Sequence, residues 1–136
     1  MFNRTTLFVT LFLAATGTIA AQKPADWSQW RGPQRNGTTS AGLPSAWPAT
    51  LTKRWELSIG AGHSSPVVSG DRVVIHTRQG DREVTRAVSL ATGKDLWRDE
   101  YPAPYTVNSA ARAHGPGPKS TPVIASGRVV TFGISG

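Results

Sequence analysis

Three observations in this 136-residue chain predict an all-β fold. Short runs rich in β-branched residues, such as Arg72-Val73-Val74-Ile75-His76-Thr77, alternate with glycine-containing turns. Outside the apolar start, no stretch carries helical periodicity. The chain also matches itself twice. Trp55 and Trp97 stand 42 positions apart (97 minus 55) in similar contexts. His63-Ser-Ser-Pro66-Val-Val-Ser-Gly-Asp-Arg72-Val-Val aligns without gaps on Lys119-Ser-Thr-Pro122-Val-Ile-Ala-Ser-Gly-Arg128-Val-Val, an offset of 56 (119 minus 63). A period of about 40 residues built from short strands is the signature of a propeller blade. The expected architecture is a partial β-propeller of four-stranded antiparallel blades, about one complete blade plus the start of the next.

Taken in order, residues 1–21 read as a signal peptide. Arg4 gives a weak positive start, Leu7 to Ala15 is an apolar run, and Thr18, Ala20 and Ala21 suit cleavage after either alanine. The run is shorter than the roughly 20 apolar residues a bilayer anchor needs, so a periplasmic or secreted protein without a membrane span is expected. Residues 22–50 form an irregular leader. Leu43-Pro44 and Trp47-Pro48 break regular pairing because proline lacks the N–H donor and fixes φ. Its three tryptophans, Trp27, Trp30 and Trp47, are expected to pack onto something larger.

From residue 51 to 136 the propeller begins, with a blade over 52–101, an insertion loop over 102–118 and a further blade opened over 119–136. Strands are expected at Lys53 to Ile59, Pro66 to Ser69, Arg72 to Thr77, Glu83 to Leu90 and Leu96 to Tyr101. Gly70-Asp71 and Gly80-Asp81 are tight links, and Ala91-Thr92-Gly93-Lys94 is a hairpin connection whose glycine suits a positive φ. The Pro-, Ala- and Gly-rich insertion absorbs the difference between the two self-match offsets.

Composition narrows the function classes. The absence of cysteine excludes disulfides, thiolate metal sites and a cysteine nucleophile. Fifteen Lys and Arg against eight Asp and Glu give a formal net charge of +7. These charges are scattered singly, as at Arg78, Arg82 and Arg86, whereas a nucleic-acid reader shows a clustered basic stripe. The expected partner is a protein or a small polar ligand, not nucleic acid.

The stretch from Ala87 to Trp97 resembles the pyrroloquinoline-quinone-type (PQQ-like) propeller repeat, Ala-x-Asp-x-x-Thr-Gly-Lys-x-x-Trp. Ala87, Thr92, Gly93, Lys94 and Trp97 match, and Ser89 stands where the family has an Asp that braces the turn. Trp27-Ser-Gln-Trp30-Arg31-Gly32-Pro33, with Asn36-Gly37, Leu43-Pro44 and Trp47-Pro48, looks like the leader of exported bacterial proteins in the same superfamily. The resemblance implies that Trp55 and Trp97 pack between neighbouring blades as structural residues rather than cofactor contacts. Since one repeat cannot bury its own apolar face, the expectation is the front fragment of a longer propeller whose remaining blades lie beyond this chain. A ring of associated copies is the rival.

Candidate chemistry is sparse. His63, His76 and His114 lack the paired spacing of a zinc site, and His76 reads as a structural strand residue. Ser64 and Ser65 precede Pro66 and form no nucleophile elbow. In Gly115-Pro-Gly-Pro-Lys119-Ser120 the prolines remove the amides that would cradle a phosphate. No catalytic or metal residue is assigned. Long loops carry function disproportionately, so the insertion and the equivalent earlier link yield His63, Arg112, His114 and Lys119 as polar, partly cationic ligand contacts. A solvated, blade-capping loop is the other reading.

The expected function is a non-catalytic exported propeller serving as a binding or scaffold platform in the bacterial envelope. The alternative is the N-terminal part of a PQQ-dependent alcohol or sugar dehydrogenase, in which PQQ with calcium would do the redox chemistry. The adjacent cysteines of that family are absent here.

Overall fold

Valine-rich segments joined by two-residue glycine turns fold back on themselves as antiparallel hairpins, because a glycine at positive φ matches the turn to the strand twist. The computed structural model describes residues 26–136, so the expected signal peptide lies outside the described residues. Strands β1 (Val67–Ser69), β2 (Arg72–Gln79), β3 (Arg82–Ser89) and β4 (Asp95–Pro102) form one antiparallel sheet in sequence order. Gly70 and Gly80, at φ +60° and +58°, open the first two turns. Between β3 and β4, Gly93 at φ +69° closes the loop, its N–H donating to Ser89 O at 2.8 Å. The β3–β4 register slips between Ala87 and Val88, a bulge next to that loop.

A second hairpin pairs β5 (Val123–Ala125) with β6 (Arg128–Val130). Its turn residues Ser126 and Gly127 both have positive φ, +48° and +71°, as a type I′ turn requires. The segments matched at offset 56 therefore occupy equivalent places. Val67 pairs with Val74 in one hairpin, and Val123 pairs with Val130 in the other. The equivalents also touch: Ser64 Oγ donates to Ser120 O at 2.8 Å, and Ser65 N to Thr121 Oγ1 at 3.2 Å.

The middle strands are buried on both faces. Val73, Ile75 and Val88 are covered by Trp55, Leu57 and Ile59, while Val67, Val74 and Ala87 pack against Ile124 and Val129 of the second hairpin. Each fully buried valine contributes about 1.5 kcal/mol or more. β4 is exposed along its whole length. Its unpaired edge is blunted by charge, from Asp95, Arg98, Asp99 and Glu100.

Two expectations change. Lys53 to Ile59 forms no strand ladder; it runs extended over one sheet face with Trp55, Leu57 and Ile59 half-buried and Glu56 and Ser58 exposed. A period-two pattern reports an extended backbone with one covered side, and it is silent on whether that backbone is paired. The four strands of the sheet thus all lie downstream of Pro66. Trp97 stands 39% exposed beside Val74, Ile124 and Val129. In the leader, Trp27 bridges Val68 through the backbone and rests on Gly32, but Trp30 and Trp47 are 59% and 63% exposed. Among the described residues no helix is long and apolar enough to cross a membrane.

Candidate functional site

Two glycine-containing links run side by side at the start of β1 and of β5. Gly117 lies so close to Ala61 and Gly62 that no side chain fits there, and His63 N donates to Pro118 O at 2.8 Å. This contact brings three of the four predicted ligand residues together around one carbonyl. His63 Nε2 stands 2.9 Å from His114 O, with the two rings 6.3 Å apart and edge-on. A carbonyl only accepts, so Nε2 of His63 carries the proton. Lys119 Nζ donates to the same carbonyl and to Gly115 O at 3.3 Å. Arg112 stays apart. It sits on the 3-10 turn Ser109–His114, exposed, with only its backbone carbonyl tied in, to Gly115 N at 3.1 Å.

These links form one wall of a cleft of about 500 Å³. Trp30 and Arg35 enter it from the leader, His63 and Ser65 from the first link, Lys119 and Thr121 from the second. His114 supports it from behind through its carbonyl. The leader is held in place by backbone pairing, with Trp27 N and O bonded to Val68 and Ser28 O accepting from Ile124 N at 2.8 Å. Sequence reasoning missed the contribution of Trp30 and Arg35, since the bonds that seat them are made by main-chain atoms. The positions of Ser65 and Thr121 were within reach, being equivalents at offset 56.

A larger hollow, about 760 Å³, lies at the turn end of β1 and holds none of the predicted residues. It is open and mostly apolar in lining, and the Asp26 carboxylate there accepts from Ser69 Oγ at 3.0 Å and Gly70 N at 2.8 Å. The smaller cleft has the chemistry, so it is the candidate site.

The residues of the Ala87-to-Trp97 stretch are structural in their surroundings. Ala87 is fully buried, Trp55 lies against Gly93, and Thr92 Oγ1 accepts from Lys94 N at 3.4 Å. With serine at position 89, the brace on this loop comes from buried Arg86, whose Nε donates to Asp95 Oδ1 at 2.9 Å.

A buried polar group occupies the face turned to the second hairpin. Glu83 accepts from Tyr101 Oη at 2.5 Å and from Ile134 N at 2.7 Å, and His76 Nδ1 meets Thr85 Oγ1 at 2.9 Å. His76 Nε2 stands 3.4 Å from Glu83 Oε2 without the alignment of a hydrogen bond, and the two form an ion pair only when the imidazole is protonated. Burial holds the His76 pKa below its ordinary 6.5, against the raising influence of Glu83 and of a backbone bond at Val84. Burial first, then the bond and charge of Glu83, push the Tyr101 phenol up to about 12. Through the Ile134 amide this group ties the sheet to the chain that follows β6.

Among the described residues no group of three or more His, Cys, Asp or Glu is placed to hold a metal ion. Set against known protein families, curated proteins and solved structures, the chain matches none.

Proposed function

We propose that this chain is part of an exported PQQ-like β-propeller that serves as a non-catalytic binding platform, with a small polar ligand seated in the cleft between the leader and the two links. The observation that carries this reading is the pair of equivalent hairpins lying side by side, joined by bonds between equivalent residues 64 and 120, and 65 and 121. Radial stacking of such units is how a propeller is built. A four-stranded sheet buried on both faces of its middle strands fits a blade held between neighbours. The exposed Trp97 indole, at the place Trp55 holds one unit earlier, is set to receive another loop of the Gly93 type.

The cleft favours binding over catalysis. It brings cations, hydroxyls and an indole together without a carboxylate lining it, so the side chains there offer contacts but no general-acid and carboxylate pair. Titrating the purified protein with a panel of polar ligands, while following tryptophan fluorescence and thermal midpoint, tests the platform. A saturable response shifted to about tenfold higher ligand concentration by Lys119→Ala is expected. Adding PQQ with calcium and an alcohol or sugar in the presence of an electron acceptor tests the opposite. Quinone-dependent oxidation would replace this reading with a dehydrogenase. N-terminal sequencing of the protein recovered outside the cytoplasm is expected to begin at Ala21 or Gln22.

A further inference from the structure

Resting on that reading of the cleft as a ligand site, we infer that its ligand is an acidic saccharide. Two cations line the cleft, and their side-chain hydrogen bonds go to neutral partners. Arg35 Nε donates to Gln29 Oε1 at 2.9 Å, and Lys119 Nζ to the His114 and Gly115 carbonyls. No Asp or Glu is among the lining residues. Each cation keeps donors in hand, since a guanidinium has five and an ammonium three. An anion entering here completes both cations.

The rest of the lining says what carries the anion. Trp30 is 59% exposed, with the Arg31 guanidinium 5.4 Å over its ring. An indole has two faces, so one remains to take the apolar C–H face of a ring. The Gln29 amide already makes two of its four possible bonds, Oε1 with Arg35 and Nε2 at 2.9 Å with Pro33 O. What is left for recognition is mainly hydroxyl, from Ser65, Ser120 and Thr121, with the Nδ1 acceptor of His63 beside them. Hydroxyls suit a polyol, whereas reading the edge of a nucleobase calls for a free amide or its equivalent. A bare phosphate would leave the indole unused, and a neutral sugar would leave two cations unmatched. About 500 Å³ lies within the range of ligand-sized sites. The net positive charge that remains after removal of residues 1–21 adds long-range attraction for such a ligand.

The test is calorimetric titration with a trigalacturonate, a sulfated disaccharide, maltotriose, adenosine monophosphate and inorganic phosphate. The two acidic saccharides are expected to bind and to show whether carboxylate or sulfate is preferred. Maltotriose is expected to bind at least about tenfold more weakly, the loss that goes with one missing charge-assisted hydrogen bond. Lys119→Ala and Trp30→Ala should each weaken the acidic saccharide about tenfold. Lys119→Arg and Trp30→Phe should recover most of the loss, which separates recognition from misfolding. Arg128→Ala, an exposed cation on β6 outside the cleft, should change nothing. If the nucleotide, the phosphate or maltotriose binds as tightly with the same dependence on Lys119, the cleft remains the site and the saccharide assignment falls. If no probe responds to Lys119 or Trp30, or if Arg128→Ala weakens binding as much, the cleft is not the site and both readings fall.

Discussion

The indole of Trp55 fills the space in which any residue other than glycine at position 93 would carry its side chain. A Cβ on Gly93 would stand 2.8 Å from Cδ2 and Cε3 of that ring. Trp55 Nε1 also donates to Leu90 O at 2.9 Å, so ring and donor both hold the loop between β3 and β4. Gly93→Ala adds a methyl group into the indole and forces a φ of +69° on an L side chain. The expected loss is about 2–3 kcal/mol. Trp55→Ala removes the clash but also the packing, at about 3 kcal/mol. Because each change destroys the same contact, the double variant should lose clearly less than the sum of the two. Denaturant unfolding of the three variants measures it, and strict additivity would mean that ring and glycine do not hold each other.

This contact shows which parts of the structure were legible in the sequence. Turn chemistry is local, so Gly70-Asp71, Gly80-Asp81 and the Thr92-Gly93 loop could be placed from the chain alone, and with them the four strands from Val67 to Pro102. Pairing of the Trp55 segment is not local. Its alternating Trp55, Leu57 and Ile59 marked a covered side, but the cover turned out to be a sheet face and not a neighbouring strand. The candidate site divides the same way. His63, His114 and Lys119 were legible as polar groups on equivalent links, but Arg112 was chosen by loop membership alone and the 3-10 turn keeps it outside. Trp30 and Arg35 reach the cleft because main-chain bonds of Trp27 and Ser28 seat the leader, and such bonds leave no side-chain signature. Burial of His76, Arg78, Glu83 and Arg86 was also hidden, since a charged residue on a strand normally marks the solvent side and here the second hairpin or the Trp55 segment lies over it.

Glu83 shows what that hidden burial does. Its carboxylate is the acceptor for the Tyr101 hydroxyl and for the Ile134 amide, joining β3 to β4 and to the chain that leaves β6. Glu83→Ala strands two donors at once and should destabilise by about 2–4 kcal/mol. Tyr101→Phe removes one bond and should cost about 1 kcal/mol. Hydrogen exchange distinguishes this tie from general loosening. In Glu83→Ala the Ile134 amide should exchange freely under conditions where amides in the middle of β2 and β3 remain protected. Equal loss of protection throughout would mean that Glu83 supports the sheet and not the junction.

His76 makes stability depend on pH on the acid side. Burial lowers its pKa in the folded state below 6.5, so the unfolded chain binds the proton more readily. Above 6.5 the imidazole is neutral in both states and this contribution is constant. As pH falls below 6.5 toward the lowered folded value, protonation draws the equilibrium to the unfolded chain and stability declines. His76→Asn should flatten that limb of a stability-versus-pH curve measured by urea unfolding. Removing the nearby negative charge with Glu83→Gln should lower the His76 pKa further and extend the decline to lower pH. An unchanged acid limb in His76→Asn would place its origin in other groups.

Tyr101 gives the corresponding effect in alkali, with the opposite sign. Its phenol is pushed up to about 12, first by burial and then by the bond and charge of Glu83, from an ordinary value of 10. Between those values the folded chain holds a proton that the unfolded chain has released. The stabilisation is therefore complete below 10 and is lost as pH rises through about 12. Tyrosinate absorbance on raising pH should show a late phase at about 12 from Tyr101, and that phase should be missing in Tyr101→Phe. The same variant should lose the steepest part of its alkaline destabilisation while being slightly less stable at neutral pH. A wild-type titration without that late phase would mean that the Tyr101 hydroxyl is not held on Glu83 in solution.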